Sequence, residues 1–72
     1  MSERLDAVAH LYDEVAAELE RAAEHARTAA RHFRDENVPR GCANAWATHG
    51  HVCEAQARLD EHAREHARLS NP

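Results

Sequence analysis

Seven histidines and two cysteines carry most of the chemistry open to this chain. Imidazole and thiolate act as proton carriers, nucleophiles and ligands for borderline-soft metals. Their spacing decides which role is open to them. His62 and His66 stand at i and i+4, on one face of a helix. That pair can chelate Zn²⁺, Ni²⁺ or Cu²⁺, with Glu65 or a group from another chain completing the shell. It is not the metalloprotease pattern HExxH, because Ala63 follows the first histidine. The plainer reading is preferred: an exposed His62 and a seam His66 in a helix rich in Ala, Arg and Glu.

His49 and Cys53 form a second i, i+4 pair, and Cys42 precedes His49 by one heptad on the same stripe. A thiolate with an imidazole is a good soft site, and two chains would supply four ligands. Cys42 and Cys53 cannot bridge each other within one helix, since their separation of about 16 Å exceeds disulfide reach. As packing residues they would fill an alanine-rich interior as weak hydrophobes, which is the simpler expectation. His25 and His32 share a heptad position with Leu11 and Glu18. They form a pH-sensitive rim if that flank borders a subunit contact, and a solvated flank otherwise. Arg27, Arg31 and Arg34 make a basic stripe, with Arg40 across the turn. The stripe suits a phosphate or an acidic partner, while the simpler expectation is a solvated face that offsets the local helix dipole.

The elements that position these groups follow from the apolar pattern. Leu5, Val8, Tyr12, Val15, Leu19, Ala22, Ala26, Ala29 and Phe33 alternate at steps of three and four, and Ala9, Ala16, Ala23 and Ala30 widen the stripe. Ser2 is a suitable N-cap, and Glu3 and Asp6 suit the first turn. The pattern predicts one helix over about residues 3–34. Asn37 then caps a second helix with Pro39 in its first turn. That helix runs over about residues 38–69 and ends at Ser70-Asn71-Pro72. Its seam reads Cys42, Ala45, His49, Val52, Gln56, Leu59, Ala63 and His66. Gly50 costs a helix roughly 1 kcal/mol against Ala, so a break there, giving three helices, is the alternative. The seam keeps its phase across Gly50, which favours a continuous helix.

The expected fold is all-α: a single domain over residues 1–72, an antiparallel hairpin of two long helices. Its apolar face is wider than one neighbouring helix covers. Two hairpins dimerising into a four-helix bundle close it most simply. Leu5, Val8, Tyr12, Val15, Leu19, Phe33, Cys42, Trp46, Val52 and Leu59 are the expected core and interface residues. Large core side chains are scarce, because sixteen residues are Ala and Ile is absent. A chain of this size gains only about 3–5 kcal/mol from its own core, so it needs a partner, a metal or a disulfide.

Charge narrows the partners. The chain is acidic, with a formal net charge of −4 at pH 7 and neutral His. That argues against nucleic acid, whose affinity comes from clustered cations. Gly41 to Cys53 carries no Asp, Glu, Lys or Arg, yet holds both Gly, both Cys and the lone Trp. No window is apolar enough for a membrane span. The N-terminal residues lack the pattern of a secretory signal, so reduced thiols and a cytoplasmic location are expected.

Trp46 and Gly50 match two of the four positions that open a tetratricopeptide repeat. No turn follows at Ala57-Arg58-Leu59-Asp60, so the chain is not read as that repeat. None of the histidines has Glu three residues before it, as a ferritin-like carboxylate bundle requires. No phosphate loop or nucleophile elbow is present. The sequence therefore points to a non-enzymatic, self-associating module that binds another protein and needs no cofactor. The alternative is a small bundle holding Zn, Ni or Cu on His49 with Cys53 or His62 with His66.

Overall fold

The computed structural model describes residues 2–70 and consists of two helices, α1 (Glu3–Arg34) and α2 (Val38–Leu69). The expected terminators Asn71 and Pro72 lie outside the described residues. α2 runs unbroken through Gly50, so the three-helix alternative is set aside. The helices pack side by side as a hairpin measuring 54 × 26 × 12 Å.

Local signals fix the ends. Ser2 Oγ accepts from the Leu5 amide at 3.3 Å, and Asn37 Oδ1 accepts from the Arg40 amide at 3.3 Å. Between the helices the chain turns in three residues. The Glu36 amide donates to the Phe33 carbonyl and the Asn37 amide to the His32 carbonyl. This pairing is the Schellman closure of α1. It needs a left-handed residue, and Glu36 supplies it with φ 58°. So short a connection makes the helices antiparallel neighbours.

The helices approach closely because their facing residues are small. Val15, Ala22, Ala29 and Ala55 are the buried apolar residues among those described. Gly41 is buried as well, and the Phe33 ring lies over it. A Cβ on Gly41 would come within 2.6 Å of that ring, so a larger residue there would force the ring to move. No large side chain is completely buried among the described residues. Burying one Val or Leu contributes about 1.5–3 kcal/mol, and Val15 is the one buried residue of that size.

The face of α2 that meets α1 corrects the expected seam. The inward residues are Gly41, Asn44, Thr48, His51, Ala55, Arg58 and His62, all buried or half-buried. The seam residues Cys42, Ala45, His49, Val52, Gln56, Ala63 and His66 are instead exposed, and Leu59 is half-buried. The helix is rotated by one position relative to its apolar stripe. The cause is pairing: with this rotation α2 sets Arg58 against Glu14, His51 against Glu18 and Asn44 against His25. On α1, Val8, Val15, Ala22 and Ala29 face inward as expected, while Leu5, Tyr12, Leu19 and Phe33 are exposed.

Candidate functional site

The rotation gives the hairpin two unlike faces. One is polar and self-satisfied. Arg58 Nη1 donates to Glu14 Oε2 at 2.5 Å. His51 Nδ1 donates to Glu18 Oε2 at 2.8 Å, and Arg21 donates to Glu18 Oε1 at 2.7 Å. The His51 ring stacks on His25, with centroids 5.4 Å apart and planes at 14°. His25 Nδ1 donates to Asn44 Oδ1 at 3.0 Å. The hydrogen bond from His51 holds the Glu18 carboxyl below its ordinary value, helped by the charges of Arg21, His51 and Arg58 and opposed by partial burial. This ladder pins the register of α2 on α1. Its members Glu14, His51, Asn44 and Arg58 were not singled out from sequence. The one signal pointing to it was the shared heptad position of Leu11, Glu18, His25 and His32.

The other face carries no formal charge. Leu5, Tyr12, Leu19, Ala26 and Phe33 recur at heptad spacing along α1, flanked by Ala9, Ala16, Ala23 and Ala30. On α2 the same side carries Val38, Ala45, Val52 and Leu59, flanked by Cys42, His49, Gln56 and Ala63. A shallow groove of about 330 Å³ joins the two rows at Ala26, Ala30, Phe33 and Ala45. Leu5, Tyr12, Leu19, Phe33, Val38 and Val52 are each 44–69% exposed. A stripe of exposed large apolar residues is unusual on a chain that stays single.

The expected ligand residues do not converge. His49 is exposed, with its ring perpendicular to that of Trp46 and the centroids 6.5 Å apart. Cys42 and Cys53 are exposed free thiols. His62 lies with Nδ1 3.4 Å from the Tyr12 hydroxyl and its ring perpendicular to that of Tyr12. His66 Nε2 is 3.2 Å from Ser70 Oγ. Among the described residues no three His, Cys, Asp or Glu side chains form a group that could hold a metal ion. Each predicted pair offers two donors, and a closed zinc site takes four. A second chain would have to bring the rest. Arg27, Arg31 and Arg34 stand exposed along the end of α1 and Arg40 at the start of α2, with Arg31 bonded to Thr28 at 3.1 Å.

At the open end of the hairpin Arg4, Val8, Leu11, His62, His66 and Leu69 line a cleft of about 410 Å³. No described helix is long and apolar enough to cross a membrane. No protein-family model matches the chain. No curated protein and no solved structure matches it either.

Proposed function

We propose that the chain is a non-enzymatic interaction module whose working form is a homodimer. Two hairpins pack uncharged face on uncharged face into a four-helix bundle. The observation that carries this reading is the length of that face: it runs the whole hairpin without one Asp, Glu, Lys or Arg, while the opposite face pairs its charges internally. A 54 × 26 Å hairpin surface has room for the about 800 Å² per partner that a stable interface buries. The face is also uncharged, so a second copy meets it without repulsion. The dimer would supply the large-residue core that each chain lacks, from Leu5, Tyr12, Leu19, Phe33, Val52 and Leu59. Its outward polar surfaces, with the basic stripe at the turn, would then engage a protein partner. Exposed free thiols suit a reducing compartment such as the cytoplasm.

The test is Leu19→Glu, which puts a charge at the centre of the face. By native mass spectrometry the parent chain is expected as a dimer at micromolar concentration, and the variant as a single chain with reduced helicity. Glu54→Gln, away from the face, should leave the dimer intact. A parent chain that is fully folded and single at that concentration ends the proposal.

A further inference from the structure

Gly50 is the least explained residue of α2. It sits mid-helix, and nothing lies within 4 Å of where its Cβ would stand. Glycine weakens a helix interior relative to alanine, and no neighbour within the chain requires it. One turn before it, Trp46 is 75% exposed, the most open of the exposed large apolar side chains. The two belong to a stripe of Ala43, Trp46, Gly50, Cys53 and Ala57, spaced by threes and fours and all exposed. This stripe lies on the side of α2 away from α1. It shares no residue with the face that joins the proposed dimer.

We infer that this stripe is a second self-contact, in which α2 of two copies cross antiparallel and each Trp46 seats over the Gly50 of the other. The register is self-complementary in size. With Trp46 opposite Gly50, Ala43 falls opposite Cys53 and Pro39 opposite Ala57, so a larger group meets a smaller one at each level. The missing Cβ lets the indole lie on helix backbone, as small residues do wherever helices approach closely. A parallel crossing would instead set indole against indole and glycine against glycine. Charge agrees with the antiparallel choice. Arg40 and Glu54 occupy one heptad position two heptads apart, so Arg40 of each copy comes beside Glu54 of the other. Between them, Gly41 to Cys53 carries no charge on any side.

The contact is short, about 27 Å from Pro39 to Ala57 at 1.5 Å per residue. One helix width over that length falls below the area of a stable interface. It therefore joins face-to-face dimers into tetramers, and on into larger assemblies through the stripes still free, at higher concentration, and in that respect it rests on the dimer proposed above. The experiment is native mass spectrometry from micromolar to submillimolar concentration, with emission and acrylamide quenching of the lone Trp46. The parent chain should pass from dimer to tetramer. Trp46 emission should shift to the blue, and its quenching should fall several-fold. Gly50→Leu, a better helix former entering open space, should stay helical, stop at the dimer and keep a solvated indole. A parent chain that never passes a dimer dissociated by Leu19→Glu, or a Gly50→Leu chain that still forms tetramers, overturns the α2 contact and leaves the face-to-face dimer standing. A dimer that survives Leu19→Glu but dissociates in Gly50→Leu upholds the α2 contact and overturns the face-to-face reading.

Discussion

The two glycines have opposite reasons for being glycine, and substitution should separate them. At Gly41 a methyl group collides with the Phe33 ring, which contributes three carbons within 2.8 Å of the added Cβ. Overpacking of this kind costs about 1–3 kcal/mol, against a gain of roughly 1 kcal/mol in helix propensity. Gly41→Ala should therefore lower stability by up to about 2 kcal/mol in urea denaturation, and Phe33→Leu should relieve most of the loss. A Gly41→Ala chain more stable than its parent would mean the ring is free to swing out. Glu18 sets the pH dependence on the polar face. Its carboxyl is held below the ordinary value by His51, then by Arg21 and the more distant charges. A depressed folded value means the unfolded chain takes up the proton first. The stabilisation is complete above the ordinary carboxylate value of 4.5 and is lost as pH falls through the lower folded value. Thermal melts of the parent should weaken with acid below that point more steeply than melts of Glu18→Gln. Equal slopes would remove Glu18 from the account.

At the scale of the element, the helix limits were legible because caps are local chemistry. Ser2, Asn37 and Pro39 announce helix starts by their own side chains, and the structure puts α1 and α2 at the expected residues. The rotation of α2 was not legible, and the reason is physical. An apolar stripe says which side avoids water, not which neighbour covers it. Here the nearer helix took the polar flank, because Glu14, Glu18 and His25 offered it partners. The apolar stripe was left exposed. The candidate ligand pairs suffered likewise: an i, i+4 spacing places His62 near His66 but does not bring a third donor. The turn holds a further cost. Glu36 adopts φ 58°, a conformation that costs an L-residue with a Cβ about 1–2 kcal/mol. Glu36→Gly should raise stability by roughly 0.5–1 kcal/mol with the hairpin unchanged, moving the midpoint up by about 2–8 °C. A lower midpoint would show that the glutamate side chain contributes more than its backbone strain removes.

For the whole molecule, the deciding quantity is how much of the fold one chain can sustain. The described interior consists of Val15, three alanines and Gly41, held in register by ion pairs and hydrogen bonds that are mostly solvent-accessible. Exposed ion pairs contribute about 0–1 kcal/mol each. They can specify an arrangement, but they do not replace a hydrophobic core. The large apolar residues that would make one are on the outside. If a second copy covers them, folding and association are one equilibrium, and stability must depend on concentration. Each tenfold rise in chain concentration then adds about 1.4 kcal/mol per dimer. For an assembly of that size the melting temperature should climb by about 3–6 °C per decade. Calorimetry at several concentrations between micromolar and millimolar measures this directly. A flat melting temperature, with an enthalpy proper to a single folded chain, would mean that the hairpin stands alone. The uncharged face would then need another occupant. A climb that disappears in Leu19→Glu, together with the loss of helicity, would locate the missing core on that face.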